Sequence, residues 1–324
     1  MSAASTPFDF IGAEHFQPLV AHDAAKRLFE RSVTMVELEV FSYCNRVCWF
    51  CPNSTIDRRS STLYMPEPLY LRILEQLAEI QYRGMISYSR YNEPLADRII
   101  LRRLAQAKAA LPGALLHANS NGDYLTPAYL EELVDAGLRS LNIQIYLGNR
   151  DLYDHDRMRA RLDQIVEKLR LTATVTIDRP DEWLEASVDY AGLRLRIYAR
   201  NFTRNGCNRG GSVPIPAAVT RTSPCLSPFY HVYVDYDGHV MPCCNLRSDV
   251  PEHGDAIIAD LQREDDLFAV YASRTMAAWR RSLVGFEPKS GHCGACSFVT
   301  FDATPENLAV HRRLQQEAAA VVVS

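Results

Sequence analysis

Three residues dominate the chemistry open to this 324-residue chain: Cys44, Cys48 and Cys51, in the run Cys-Asn-Arg-Val-Cys-Trp-Phe-Cys. Thiolates at this spacing can grip three corners of a cubic [4Fe–4S] cluster. Such clusters are normally held by four Cys. No fourth Cys stands nearby, so one iron is left for a ligand that is not protein, and chemistry belongs at that corner. The plainer alternatives are a zinc site short of one ligand, or three buried thiols. Phe50, just before the last Cys, and the strand expected before the first both fit a cluster loop.

Four of the other six Cys form a second set: Cys225, Cys243 and the pair Cys293-Gly-Ala-Cys296. The segment Tyr230-His-Val-Tyr-Val-Asp-Tyr-Asp-Gly-His-Val-Met alternates around Asp237-Gly238 and reads as a β-hairpin that brings Cys225 and Cys243 together. By spacing alone, four thiolates of this kind suit zinc and iron–sulfur equally. A cluster motif in the same chain favours an auxiliary [4Fe–4S] cluster. Cys244, beside an expected ligand, reads either as a hydrogen-atom donor in an epimerisation or as a small buried hydrophobe. Cys207 is a loop thiol with no stronger claim.

The elements that must position these residues alternate from about residue 33 between strand-like and helix-like segments, which argues for an α/β fold with a parallel sheet. Strands are expected around Val36–Val40, Met85–Arg90, Leu115–Asn119, Leu141–Tyr146, Leu171–Ile177 and Leu193–Tyr198. Tyr70, Ile73, Leu74 and Leu77 fall at helical spacing, as do Ile100, Leu104, Ala107 and Leu111. A further helix has Thr126 as its N-cap, Pro127 in its first turn and Gly137 as its stop, and another spans Asp151–Leu169. One face of the strands is apolar. The other carries Glu37, Glu39, Ser87, Ser89, His117, Asn119, Asn142, Gln144, Arg194 and Arg196. Closed eight-stranded barrels are filled by Val, Ile and Leu. Six strands with a polar inner face point instead to an open, partial (β/α)6 barrel around a ligand cavity, with a small C-terminal hairpin-and-helix domain. An amphipathic sheet with one solvated face is the alternative.

CX3CX2C with an aromatic before its last Cys resembles the signature of the radical S-adenosylmethionine (SAM) family. That resemblance implies a cluster whose open iron binds the amino and carboxylate groups of SAM. It also implies one-electron cleavage of SAM to a 5′-deoxyadenosyl radical that abstracts a substrate hydrogen. A one-electron donor such as flavodoxin or ferredoxin is then required. Tyr91-Asn92-Glu93-Pro94 stands where the family carries a Gly-Gly-Glu-Pro-like turn; Glu93 and Pro94 match, Tyr91 and Asn92 replace the glycines. Asn119-Ser120-Asn121-Gly122 resembles the family's Thr-Asn-Gly turn, and Gln144 holds the inward position that contacts the ribose. The resemblance thus makes Phe50, Asn92, Glu93, Asn119 and Gln144 the candidate SAM contacts. The second Cys set, with Asn208-Arg209-Gly210-Gly211 before it, is similar to the short twitch form of the SPASM extension. The expected division is an N-terminal extension at 1–32, the barrel at 33–212, the auxiliary domain at 213–300 and a closing helix at 301–324.

Composition narrows the rest. A formal charge of -4 gives no electrostatic reason to expect nucleic acid. No apolar run is long enough for a bilayer and the first ten residues lack a signal-peptide pattern, so a cytoplasmic protein with no membrane partner is expected. Most of the nine His read as surface residues or as supports behind a site, and the Arg pairs at 102–103, in the 160s and at 280–281 as solvated helix faces. The leading expectation is oxidation of a small polar natural-product intermediate, with Glu39 or Arg194 as proton acceptor and the auxiliary cluster as electron acceptor. Radical epimerisation or cross-linking of a peptide, with Cys244 as a catalytic residue, is a second expectation. A non-catalytic zinc protein is a third.

Overall fold

A computed structural model describes residues 10–216, 220–298, 301 and 303–323. The strands are β1 Met35–Leu38, β2 Met85–Tyr88, β3 Leu115–Ser120, β4 Ser140–Gln144 and β5 Thr174–Arg179, followed by β6 Trp183–Tyr190, β7 Leu193–Arg200, β8 His231–Val234, β9 His239–Met241 and β10 Ala259–Asp260. They join in one sheet, ordered β10-β9-β8-β1-β2-β3-β4-β7-β6-β5. The pairings β8 to β1, β1 to β2, β2 to β3, β3 to β4 and β4 to β7 are all parallel. Six parallel strands therefore form the expected partial barrel, but they are not the six that alternation picked out.

The expected strand at 171–177 begins three residues later and is an outer edge. It pairs antiparallel with β6, a strand that the sequence reading passed over, and β6 pairs antiparallel with β7. The β6–β7 turn explains the miss. Its two residues, Ala191 and Gly192, both take positive φ, 49° and 78°, as a tight primed turn requires. Ala-Gly is a much weaker signal for that turn than Asn-Gly. The sixth parallel strand is β8, which comes from the segment assigned to the auxiliary domain.

The helices follow their sequence signals closely. Leu69, Tyr70, Ile73, Leu74 and Leu77 form the buried face of Glu67–Glu79. The Thr126 side chain accepts from the Tyr129 N–H, and the chain leaves that helix at Gly137 with φ 115°, where a Cβ would be strained. These helices cover the apolar side of the sheet in one large cluster that includes Val36, Ile86, Leu116, Leu141, Ile143 and Leu195. The two ends of the chain pack together: Ile11 and Phe16 meet Leu314 and Ala318 of the helix Pro305–Val323.

Several polar residues expected in solvent are buried instead. Arg280 donates to the carbonyls of Pro228 at 3.0 Å and Tyr271 at 2.9 Å. Arg103, His15, His253 and His311 are also buried. Helix periodicity could not show this, because each fills a gap between elements distant in sequence. No described helix is long and apolar enough to cross a membrane.

Candidate active site

The C-terminal ends of the parallel strands open into a cavity of about 260 Å³ lined by Cys44, Cys48 and Cys51 together with Phe50, Asn92, Glu93, Asn119 and Gln144. Every expected ligand of the SAM-binding cluster and every expected SAM contact therefore meets in one space. The cluster loop leaves the sheet just after β1 and is tied down from several directions. Arg46, between the first two Cys, forms a two-pronged pair with Asp123 at 2.7 Å on both arms. Trp49 N–H donates to the Asn149 carbonyl at 3.0 Å, and Cys51 N–H to the Cys48 carbonyl at 2.9 Å. Burial pushes the Cys44 and Cys48 thiols up to about 12. Three thiolates crowded into this wall are unfavourable until a positively charged group neutralises them, as a metal cluster does.

Glu93 locks two loops together. Its carboxylate accepts from Ser120 Oγ at 2.6 Å, from Asn121 N–H at 2.7 Å and from Leu95 N–H at 3.1 Å. Burial raises it to about 7 against the pull of these donors. Next to it, neither side-chain amide atom of Asn92 has a partner; Asn53 Oδ1, Gln144 Nε2 and Arg209 Nε are also buried without one. All four residues line the cavity. Buried polar atoms are rarely left unpaired, so this wall is built for a polar ligand, and SAM fits it. Gln144 Oε1 is already taken by the hydroxyls of Tyr146 at 2.9 Å and Tyr198 at 3.0 Å, which leaves the NH2 facing inward. Phe50 stacks on Phe202 with ring centres 3.5 Å apart and closes the far side.

The two proposed proton acceptors are corrected. Glu39 does not reach the cavity: it is fully buried, paired with Arg58 at 2.6 Å, and its Oε1 accepts from the N–H groups of Tyr91 and Asn92, each at 3.0 Å. It holds the loop that carries Asn92 and Glu93. Arg194 stands at the start of β7 and borders a separate, open depression at the other end of the sheet with His117 and Asn142. A guanidinium is in any case not deprotonated in proteins. Removing Glu39 leaves a buried guanidinium one partner short and two N–H groups unsatisfied. Glu39→Ala is therefore expected to cost on the order of 3 kcal/mol, read as a lower unfolding midpoint with cluster content unchanged in the folded fraction.

Two residues that the sequence reading left without a catalytic or SAM-binding role complete the cavity. Glu37, one strand register below Glu39, lines it beside Ser89 and Arg90. Its carboxylate accepts from Ser87 Oγ at 3.2 Å and lies 3.7 Å from Arg90. Burial holds it up near 7. Arg209 enters from the other side, its Nη1 donating to Asn245 Oδ1 at 2.7 Å. It sits in a run of three positive φ values, 51°, 64° and 95° at Arg209, Gly210 and Gly211. A Cβ on Gly210 would meet Leu246 at 2.5 Å and the His253 ring at 2.8 Å, so only glycine fits there. The Asn-Arg-Gly-Gly run was the available signal. Cys244 also lines the cavity, and burial raises its thiol to about 11.

The second thiol set gathers as expected. Cys225, Cys243, Cys293 and Cys296 border one small apolar cavity of about 20 Å³, with Arg221 at its edge. Among the described residues, no group of three His, Cys, Asp or Glu converges on the spacing of a single ion. A cube spreads its thiolates over different irons and asks for wider spacing. Cys243 faces this cavity while its neighbour Cys244 faces the larger one, so the two sites are one residue apart.

These thiol sets, on a six-stranded partial barrel, define a radical SAM enzyme with an iron–sulfur domain of the SPASM type. The radical SAM superfamily matches residues 38–186, and a SPASM iron–sulfur cluster-binding domain matches 225–297. The chain is 27% identical over 276 residues to the S-adenosyl-L-methionine-dependent 2-deoxy-scyllo-inosamine dehydrogenase of Niallia circulans, covering 84% of this chain and 95% of that protein. It is also 27% identical over 148 residues to the GTP 3′,8-cyclase of Alkaliphilus metalliredigens (strain QYMF), 45% of each. Among solved structures it resembles BtrN in complex with AdoMet and 2-DOIA, with TM-score 0.59, 25% identity and coverage of 83% of this chain and 94% of that one. An open conformation of BtrN shares the fold at TM-score 0.55 and 21% identity, over 85% and 97% of the two chains. The chain is an oxidoreductase that uses SAM, a SAM-binding [4Fe–4S] cluster and an auxiliary cluster.

Proposed function

We propose that this enzyme oxidises a hydroxyl-bearing carbon of a small polyhydroxylated amine or sugar, of the aminocyclitol class. When bound, SAM and its cluster supply the 5′-deoxyadenosyl radical that takes the hydrogen atom from that carbon. Phe50, Tyr146 and Phe202 form the aromatic side of the cavity, while Glu37 and Arg209 give it one carboxylate and one guanidinium for substrate hydroxyls or amines. Glu37 is the group placed to receive the hydroxyl proton. Arg209 is placed to hold the oxygen as it becomes a carbonyl. A net two-electron oxidation leaves one more electron to remove. The observation that carries this reading is that Cys243 and Cys244 put the auxiliary thiol set one residue behind the cavity wall, a short path for that electron. The likeness to a 2-deoxy-scyllo-inosamine dehydrogenase supports the same substrate class. We place Cys44, Cys48 and Cys51 on the SAM-binding cluster and Cys225, Cys243, Cys293 and Cys296 on the auxiliary one.

The thiol of Cys244 favours a second outcome, return of a hydrogen atom to the substrate with inversion. One experiment separates the two. Anaerobically reconstituted enzyme is given SAM, a flavodoxin or chemical reductant and a panel of aminocyclitols deuterated at single carbons. Deuterium in 5′-deoxyadenosine with an equal amount of ketone supports oxidation, and the Cys244→Ala chain keeps that activity. An epimer about one mass unit lighter than the labelled substrate, with solvent hydrogen at the labelled carbon and lost in Cys244→Ala, replaces oxidation by epimerisation. No deuterium transfer from any aminocyclitol ends the substrate assignment.

A further inference from the structure

The auxiliary thiol set has a fifth member. Cys207 lies outside the matched segment 225–297, yet its Sγ is 3.8 Å from that of Cys296. The side chain is buried, and the approach is fixed from both strands of chain, since Ser297 Oγ donates to the Gly206 carbonyl at 3.0 Å. The separation is informative. Two thiolates on one tetrahedral metal with bonds of about 2.3 Å stand roughly 3.8 Å apart, whereas thiolates on different irons of a cube stand farther apart. Cys207 and Cys296 therefore reach for the same corner.

We propose that Cys207 is an alternate ligand of the auxiliary cluster, exchanging with Cys296 at a single iron. The proposal rests on the assignment of Cys225, Cys243, Cys293 and Cys296 to that cluster. In the exchange the iron's bond to the Cys296 sulfur breaks as its bond to the Cys207 sulfur forms. The Cys207 proton passes to Cys296, and no electron is gained or lost. Arg221 is built to receive the displaced sulfur: its Nη1 donates to Cys296 Sγ at 3.7 Å. The same guanidinium is held in place by the carbonyls of Ser223 at 2.9 Å, Pro224 at 2.6 Å and Phe298 at 2.7 Å. A corner served by two thiols can release one without losing the cluster. Because Cys207 is two residues from Arg209, a swap at this corner also moves the loop that aims Arg209 into the active site.

The test uses the full-length chain with Cys44, Cys48 and Cys51 all changed to Ala, so that the auxiliary cluster is the one left to count. After anaerobic reconstitution with iron and sulfide this background should hold about four irons. Adding Cys296→Ala should keep about four and shift the EPR signal of the reduced cluster. Adding Cys207→Ala alone should also keep them, and the Cys207→Ala/Cys296→Ala pair, which leaves one iron without a thiolate, should fall to about three. Loss with Cys296→Ala as complete as with the pair, or retention in the pair, overturns the proposal. Adding Cys225→Ala should likewise lower the iron count, because Cys207 cannot serve that corner; a full count of about four there would overturn the ligand assignment instead. The unaltered protein gives an independent reading. Anaerobic iodoacetamide labelling followed by peptide mass spectrometry should find chains labelled at Cys207 or at Cys296, never both while the iron remains. Labelling confined to Cys207 overturns the exchange.

Discussion

A Cys243→Ala chain is expected to form 5′-deoxyadenosine from SAM and yet fail to release the oxidised product. The expectation follows from how the two cavities share one stretch of backbone. The carbonyl of Cys243 accepts from Arg90 Nη1 at 3.4 Å, and that of Cys244 accepts from the Tyr91 hydroxyl at 2.9 Å. Arg90 itself is anchored by Asp235 at 2.7 Å and reaches toward Glu37. The thiol set behind the wall and the carboxylate inside it are therefore braced by the same guanidinium. Removing one auxiliary ligand leaves the SAM side intact, because Cys44, Cys48, Cys51 and Glu93 belong to other loops. Iron should fall below the full count of about eight per chain, and 5′-deoxyadenosine should accumulate without matching ketone. Both are read in one assay by mass spectrometry. Ketone that stays equal to 5′-deoxyadenosine in the iron-depleted variant would show that the second electron leaves by another route.

Parts of this arrangement were legible in the sequence because they are local. CX3CX2C needs only one loop, and the hairpin around Asp237-Gly238 needs only two short strands, so both thiol sets could be read before any tertiary structure. Glu93 and Gln144 followed from the family resemblance, Glu93 through the Glu-Pro pair of the turn after β2 and Gln144 as the last residue of β4. Most of the errors involve distance. Glu37 and Glu39 share a face by alternation, and nothing local says that β1 stops at Leu38 and that Arg58 then claims Glu39. Arg194 was misplaced although the information was present. It opens its strand, and in a parallel barrel the site forms at the strand C-termini, so an inward residue at the beginning of β7 faces the wrong end. Cys207 stands 89 residues from Cys296, in a loop with no periodicity, and no spacing rule connects them.

The same contrast between Glu37 and Glu39 supports a sharper expectation about pH. Glu37 is pushed up to about 7, first by burial, with the Arg90 guanidinium and the Ser87 hydroxyl pulling it back and the charges of Glu39 and Asp235 adding to the rise. A proton acceptor must be ionised to work, so below pH 7 most of the enzyme holds Glu37 neutral and above it most holds a carboxylate. The oxidised product formed per 5′-deoxyadenosine should therefore rise through this range. Normalising to 5′-deoxyadenosine matters, because Glu93 is also raised to about 7 by burial and its titration changes SAM cleavage and product together. Glu37→Gln keeps the size of the side chain and can keep its contact with Ser87, but it cannot take a proton. The variant is expected to pass deuterium from labelled substrate to 5′-deoxyadenosine while product per cleavage falls by about 10²–10⁴, the usual share of a positioned general base. The pH dependence of the ratio should vanish with it. A Gln variant that retains the rise through pH 7 would move the proton acceptor elsewhere in the cavity and leave Glu37 as a partner of Arg90 alone.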